Sequence, residues 1–242
     1  MIIKIVRHGQ SEVNAKVVPH GSIGDHLVDL TAVGEQQAAE AGPIIGADFF
    51  HHALVYRSPY LRARRTTDIL MGSIADQIRH VRSPRGLPKI YEDPRLREMD
   101  HGYDDVTAQE IMRKKHGWFY YRFAGGESPA DCYDRCCHFL ESMMRQVSRK
   151  RGPNGSDPNI LIVCHGMTMR CFASRFMHLT PEQFETIANP KNCDIYTIAL
   201  TGTFTGQEKK RFHYQVEGEP QFTSGKWGIM GLKFRPKEET QI

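Results

Sequence analysis

The sequence predicts an α/β protein, a three-layer αβα sandwich with a mainly parallel central sheet, and three observations carry that expectation. Short β-branched apolar runs recur through the chain at Ile2 to Val6, Ala53 to Tyr56 and Ile160 to Val163. Each is continuous rather than alternating, the pattern of a strand covered on both faces. Each also stops at a polar turn, Arg7-His8-Gly9, Ser58-Pro59 or His165-Gly166, and helical sequence comes next in the order expected of strand-turn-helix units.

The elements follow in order. Ile2 to Val6 reads as a buried first strand that delivers Arg7-His8-Gly9 at its carboxyl end, where open α/β sheets build sites. Thr31 caps a helix over Gly34 to Ala41 that the Gly42-Pro43 pair is expected to end. Ala53 to Tyr56 is a second strand, and a helix follows from about Tyr60 to Ile78. The Gly-, Pro- and Arg-rich stretch from Gly72 to Pro88 reads as a connection, and Lys89 to Glu92 as a short strand before Pro94. Asp104 to Lys115 is helical in pattern. Ser128 opens a longer amphipathic helix with Cys132, Cys136, Phe139, Leu140 and Met143 as its apolar stripe. Pro153 to Pro158 is a polar turn. Ile160 to Val163 is the most strand-like run of all, with a helix from Met167 to Met177 after it. Thr180-Pro181-Glu182 starts another short helix, with a cap, a proline at its first position and an acid in its first turn. Ile195 to Leu200 is a further strand. Residues 1–205 are expected to form one domain, and 206–242 a C-terminal extension that packs on it or is mobile.

Composition narrows the class. Lys plus Arg number 32 against 28 Asp plus Glu, a basic excess that suits an anionic small molecule and falls short of a nucleic-acid-binding profile. The apolar start is interrupted at Arg7, too soon for a signal peptide or a membrane span. Six cysteines form no CxxC pair and no small disulfide framework, so reduced thiols and a cytoplasmic setting are expected.

Three strand ends that converge would gather two imidazoles and two guanidinium groups. That set can clamp and neutralise the oxygens of a transferring phosphoryl group without a metal or other cofactor. His8 is a candidate nucleophile, provided that one ring nitrogen is held as a donor. A general acid is needed on a separate loop. Glu98 is the candidate, with Asp100, Asp104 and Asp105 as alternatives nearby.

These residues resemble the histidine phosphatase superfamily, the cofactor-dependent phosphoglycerate mutase-like fold, over roughly Ile2 to Leu200. Arg7-His8-Gly9-Gln10-Ser11-Glu12-Val13-Asn14 is similar to the RHG signature. Leu30 to Ala38 is similar to the LT-x-x-G-x-x-QA helix start, and Ser58 to Thr66 to the SP-x-x-RA-x-x-T segment. Leu96-Arg97-Glu98 resembles the proton-donor loop, and Val163-Cys164-His165-Gly166 the second histidine motif. The resemblance implies a phosphohistidine at His8 and a phosphoryl group held by Arg7, Asn14, Arg62, His165 and Gly166, with Ser11 and Gly21 also in the binding set. It implies Glu98 as acid and then base, and no metal.

Phe119 to Phe123, Gly126 to Ser128 and Tyr133 to Arg135 look like a mutase-like branch found in fungi and plants. The interval of about 67 residues from Glu98 to His165, with Gln10 for a Glu and Val13 for a Trp, resembles phosphatases more than mutases. The expected activity is therefore hydrolysis of a phosphorylated small-molecule substrate. The alternatives are mutase-type transfer and a non-catalytic phospho-ligand or protein-binding module.

Other residues have plainer readings beside these. Asn14 is equally readable as a helix cap, and Gln10 and Ser11 as loop hydrogen bonders. The run from Arg113 to His116, followed by Trp118 to Phe123, is open to recognising a second anionic group or a ring on the substrate, and reads more readily as a solvated helix face beside a packed aromatic cluster. Of Arg62, Arg64 and Arg65, one or two face the pocket, and His20 and His26 lie in a loop that approaches it. Oligomeric state is not legible.

Overall fold

The computed structural model describes residues 1–102, 106–152, 154–204 and 220–235. The expected helix start at Asp104, the alternative acids Asp104 and Asp105, and Pro153 lie outside them. Strand β1 (Ile3–Arg7) precedes helix α1 (Ala32–Ile45) and strand β2 (Ala53–Arg57). Helices α2 (Leu61–Gly72) and α3 (Ala75–Arg82) lead to β3 (Ile90–Glu92). Helices α4 (Val106–His116) and α5 (Pro129–Arg149) precede β4 (Asn159–Cys164). Helices α6 (Gly166–Met177) and α7 (Pro181–Thr186), strand β5 (Ile195–Leu200) and the single turn α8 (Thr201–Phe204) follow. Strands β6 (Phe222–Ser224) and β7 (Trp227–Met230) complete the order.

The seven strands form one sheet in the order β3-β2-β4-β1-β5-β7-β6. The half that carries the polar turns is parallel, β3 to β2, β2 to β4 and β4 to β1, whereas β5, β7 and β6 continue antiparallel. Period-two geometry sends Ile3 and Ile5 into one layer, with Phe139 and Phe172 from α5 and α6. Ile2 and Val6 enter the other, with Leu70 and Met71 from α2. Both sheet faces are therefore covered, and so the central strands read as unbroken apolar runs. On α5, Cys132, Cys136, Phe139, Met143 and Val147 form one fully buried stripe, while Leu140 lies at its margin. Each such large side chain contributes roughly 1.5–3 kcal/mol. Ser128 and Asp131 close a capping box at the start of this helix.

Local signals misled in two places. Helix α1 runs through Gly42-Pro43 to Ile45 and ends at Gly46, whose φ is 80°. Gly42 is a contact residue, since a Cβ there would stand 2.5 Å from the Leu70 carbonyl oxygen of α2. The helix expected over Tyr60 to Ile78 is two helices, and α3 occupies part of the stretch read as a connection. Beyond residue 206, β7 pairs with β5, Thr197 opposite Met230, and β6 pairs with β7.

Candidate active site

Parallel register builds the site. Arg7 stands opposite Cys164, and Arg57 opposite Val163, so the next residues of β1, β4 and β2 are His8, His165 and Ser58. Backbone bonds carry the register one step past the strands: His8 N donates to Cys164 O (3.0 Å) and Ser58 N to Val163 O (2.9 Å). The His8 and His165 rings consequently meet edge to face at 5.1 Å, and both are buried.

His8 Nδ1 lies 2.7 Å from Gly9 O. A carbonyl oxygen only accepts, so Nδ1 carries the proton and Nε2 keeps its lone pair. Gly9 is required for close approach, because a Cβ there would lie 2.3 Å from Gly34 O at the start of α1. The loop is pinned to α2 through Thr66 Oγ1, which accepts from Gly9 N (3.0 Å) and donates to Arg62 O (2.6 Å). Gln10 ties it to α1: its N donates to Gln37 Oε1 (2.9 Å) and its Oε1 accepts from Thr31 Oγ1 (2.9 Å).

His165 Nε2 pairs with Ser58 Oγ at 2.8 Å, while its Nδ1 is buried without a partner, as is Arg7 Nε. Arg7 donates from Nη1 to Pro190 O (2.5 Å). A Cβ on Gly166 would be 3.6 Å from Arg7 Nε, so the glycine leaves that face of the guanidinium open. A buried guanidinium N–H without an acceptor and a buried imidazole nitrogen without a partner, in a cluster containing a second guanidinium, have the makings of an anion seat. Burial first, then Arg62 and Arg7, holds the His8 imidazole well below its ordinary 6.5. Burial first, then Arg62, His8 and Arg7, does the same to His165. Both rings are neutral at neutral pH.

Glu98 stands at the amino end of α6. Its Oε2 accepts from Met167 N (3.3 Å) and its Oε1 from Met99 N (3.0 Å) and Thr168 N (3.3 Å). Burial raises its carboxyl pKa above the ordinary 4.5, against the hydrogen bonds from Met99 and Met167 and the charge of Arg62. Its loop is anchored by Arg135, which donates to Arg95 O (2.6 Å) and, from Nε and Nη2, to both oxygens of Glu127 (2.9 Å each). The nearby Asp100 is exposed, with its carboxylate turned to Gly102 N (2.8 Å).

The remaining expected residues divide. Asn14 Oδ1 accepts from Ser11 N (3.3 Å) and from Asn192 Nδ2 (3.1 Å), and Asn192 also donates to His8 O (3.0 Å). Asn14 and Ser11 thus line the histidine loop. Gly21 is exposed at φ 79°, with open space in its Cβ direction. Arg62 is buried beside both imidazoles, but its terminal nitrogens are engaged by Asp25. Arg65 turns away to Asp29 and Glu35. Arg113 is buried, not solvated: its guanidinium lies 4.1 Å from the Trp118 ring centre and 5.4 Å from that of Phe123. A planar cation stacks on those rings, so a charge run hid a packing residue. His20 faces His101 (6.2 Å) and His26 faces Tyr60 (6.5 Å).

Sequence reading missed Asn192, Asp25 and the role of Ser58. Ser58 and Thr66 were legible in the SP-x-x-RA-x-x-T segment, whereas no local pattern marks Asn192 or Asp25. Among the described residues, no three His, Cys, Asp or Glu side chains are grouped to hold a metal ion, and no helix is long and apolar enough to cross a membrane.

The chain is 35% identical to phosphoglycerate mutase-like protein AT74 of Arabidopsis thaliana over 82% of its own length and 64% of that protein. It thus spans slightly less than two thirds of that relative. It is 25% identical to the broad-range acid phosphatase DET1 of Saccharomyces cerevisiae, over 82% of this chain and 85% of that one. Among solved structures, Bacillus stearothermophilus YhfR superposes with a TM-score of 0.62 at 25% identity, covering 90% of this chain and 96% of that one. A mycobacterial glucosyl-3-phosphoglycerate phosphatase shares the fold with a TM-score of 0.63 at 19% identity, covering 82% and 91%. Residues 3–210 match the histidine phosphatase superfamily, branch 1, and the chain, with its two buried histidines at neighbouring strand ends, belongs to that superfamily.

Proposed function

We propose that the protein hydrolyses phosphomonoesters of small molecules by two displacements at His8, without a metal. The observation that carries the reading is the His8 ring itself: Nδ1 donates to Gly9 O, so the free lone pair is on Nε2 of a neutral, buried imidazole. In the first step Nε2 attacks phosphorus, the phosphorus–oxygen ester bond breaks, and Glu98 gives its proton to the departing alkoxide. In the second, water attacks the phosphohistidine, the Glu98 carboxylate takes the water proton, and the phosphorus–nitrogen bond breaks to return neutral His8. Arg7, Arg62 and His165 hold the phosphoryl oxygens, with Asn14, Ser11 and Gly166 shaping the seat. A raised carboxyl pKa at Glu98 supports the acid role, because the proton is retained to higher pH.

Relatives named as a broad-range acid phosphatase and a sedoheptulose 1,7-bisphosphatase support hydrolysis, while others are named phosphoglycerate mutases. Six free cysteines are in keeping with a cytoplasmic, reducing setting. We assign residues 1–205 to the catalytic domain, with the later strands supporting its sheet edge. The test is steady-state turnover of an aryl phosphate and a panel of sugar phosphates, with and without a strong chelator and without bisphosphate priming. Turnover by the wild type that survives chelation and vanishes in His8→Ala is expected. Phosphate exchange between positions that needs a bisphosphate would make the protein a mutase instead, and unchanged turnover in His8→Ala would remove the nucleophile.

A further inference from the structure

The Arg62 guanidinium is already holding an anion. Its side chain is 5% exposed. Nη1 donates to the backbone oxygen of Asp25 (2.6 Å) and to Asp25 Oδ1 (3.0 Å), while Nη2 donates to Oδ2 (2.9 Å). Two parallel N–H bonds to two oxygens of one group is also how a guanidinium takes a phosphoryl group. The carboxylate belongs to a 3-10 turn, Asp25–Leu27, none of whose residues is buried. This turn rests on Tyr60, whose ring is 6.5 Å from that of His26, 5.0 Å from the Arg62 guanidinium and 5.1 Å from the His165 ring. Among the described residues, the hydrogen bonds that join residues 19–28 to the rest of the protein are those of Arg62. Ile23 and Leu27 are 41% and 55% exposed and Val28 is buried, so apolar burial holds the carboxyl end of the segment and adds little around the turn itself.

We propose that Asp25 is an internal competitor for the phosphoryl seat: its carboxylate pairs with Arg62, and a phosphoryl group enters by exchanging with it. The inference rests on the hydrolase reading for what the seat normally receives. A group that must be displaced weakens every seat ligand by the same factor, because only the fraction of molecules with Arg62 released can bind. Asp25 therefore sets a threshold for anions at this site and limits retention of the product phosphate.

The test is the affinity of the full-length protein for inorganic phosphate, by calorimetry, and the KM for an aryl phosphate, in wild type, Asp25→Asn and Asp29→Asn. Asp29 is a carboxylate of the same loop that pairs with Arg65 (2.7 Å) instead, so its variant removes the same charge without touching Arg62. From the modest strength of half-exposed bidentate pairs, Asp25→Asn is expected to bind phosphate about fivefold more tightly, with KM lowered to match, and Asp29→Asn to change either by less than about twofold. Unchanged or weaker phosphate binding in Asp25→Asn would make Asp25 a support for Arg62 and overturn the proposal. Equal tightening in both variants would reduce it to a field effect and overturn it too. Phosphate binding without hydrolysis would end the hydrolase reading while leaving the competition decided by affinity. Phosphate binding to none of the proteins would remove the seat and both readings with it.

Discussion

Replacing Glu98 with glutamine separates proton donation from every other property of that side chain. Glutamine keeps the shape but must place an amide NH2 where one carboxylate oxygen accepts. Oε1 accepts from two backbone N–H groups, Met99 at 3.0 Å and Thr168 at 3.3 Å, and Oε2 from Met167 N alone, at 3.3 Å. The amide nitrogen therefore takes the Oε2 position and gives up the single long bond. That loss costs about 1 kcal/mol, and the neutral amide avoids the burial that raises the Glu98 pKa, so stability is expected to stay within about 1 kcal/mol of wild type. Chemistry should suffer far more, since a positioned general acid contributes roughly 10²–10⁴-fold. The loss must depend on the leaving group. An alkyl phosphate expels a strongly basic alkoxide and should lose the full factor in kcat/KM, whereas a nitrophenyl phosphate expels a stable anion and should lose much less. Paired measurements of kcat/KM on both substrates, with urea unfolding as the structural control, read this directly. Equal losses on the two substrates, or no loss on the alkyl ester, would refute Glu98 as the donor.

Three other expectations follow from the same packing. His8 and His165 are held below 6.5 and Glu98 above 4.5, so the acid limb of kcat/KM should fall below 6.5 and the alkaline limb above 4.5; an acid limb at or above 6.5 contradicts the buried, arginine-flanked site. Unfolded imidazoles bind protons below 6.5 where the folded ones do not, so stability should fall as pH drops from about 7.5 to about 5.5, more steeply in wild type than in His8→Asn, as urea midpoints can show. Glu98 acts in the opposite sense, its contribution being lost as pH rises through its folded value. Gly34→Ala should destabilise by about 1–3 kcal/mol, because its Cβ would stand 2.1 Å from Gln10 O, an overlap that outweighs the gain of about 1 kcal/mol in helix propensity. Gly72→Ala, which meets nothing within 4 Å, should be neutral or stabilising in the same urea assay; equal stability of the two variants would refute the close-approach argument.

What was legible in the sequence follows from the range of the forces involved. The runs at Ile3–Arg7, Ala53–Arg57 and Asn159–Cys164 announce themselves because burial on both faces demands unbroken apolar residues, and the polar residues just past them announce a site. Pairing that depends on distant partners leaves no such mark. Phe222–Ser224 and Trp227–Met230 are short and follow a Gly- and Lys-rich stretch, and only β5 makes them strands. Pro43 suggested a helix end because it lacks an N–H, yet near the last turn it removes little of the ladder. Arg113 looked solvated because charge runs are, while two aromatic rings it could not announce lay waiting to stack on it. Within the site, His8, His165 and Glu98 were readable as residue types at strand and loop ends. The Asp25 pair with Arg62 was not, since it joins a turn to a helix 37 residues away.

One nitrogen of His8 carries the proposed chemistry. Nδ1 of His8 is occupied by Gly9 O, so a phosphoryl group can form only on Nε2. Rapid mixing with a labile aryl phosphate, quenching in alkali and phosphorus NMR of the denatured chain should give an acid-labile, Nε2-linked phosphohistidine at residue 8. A phosphoryl group on Nδ1, on another residue, or absent during active turnover would contradict it.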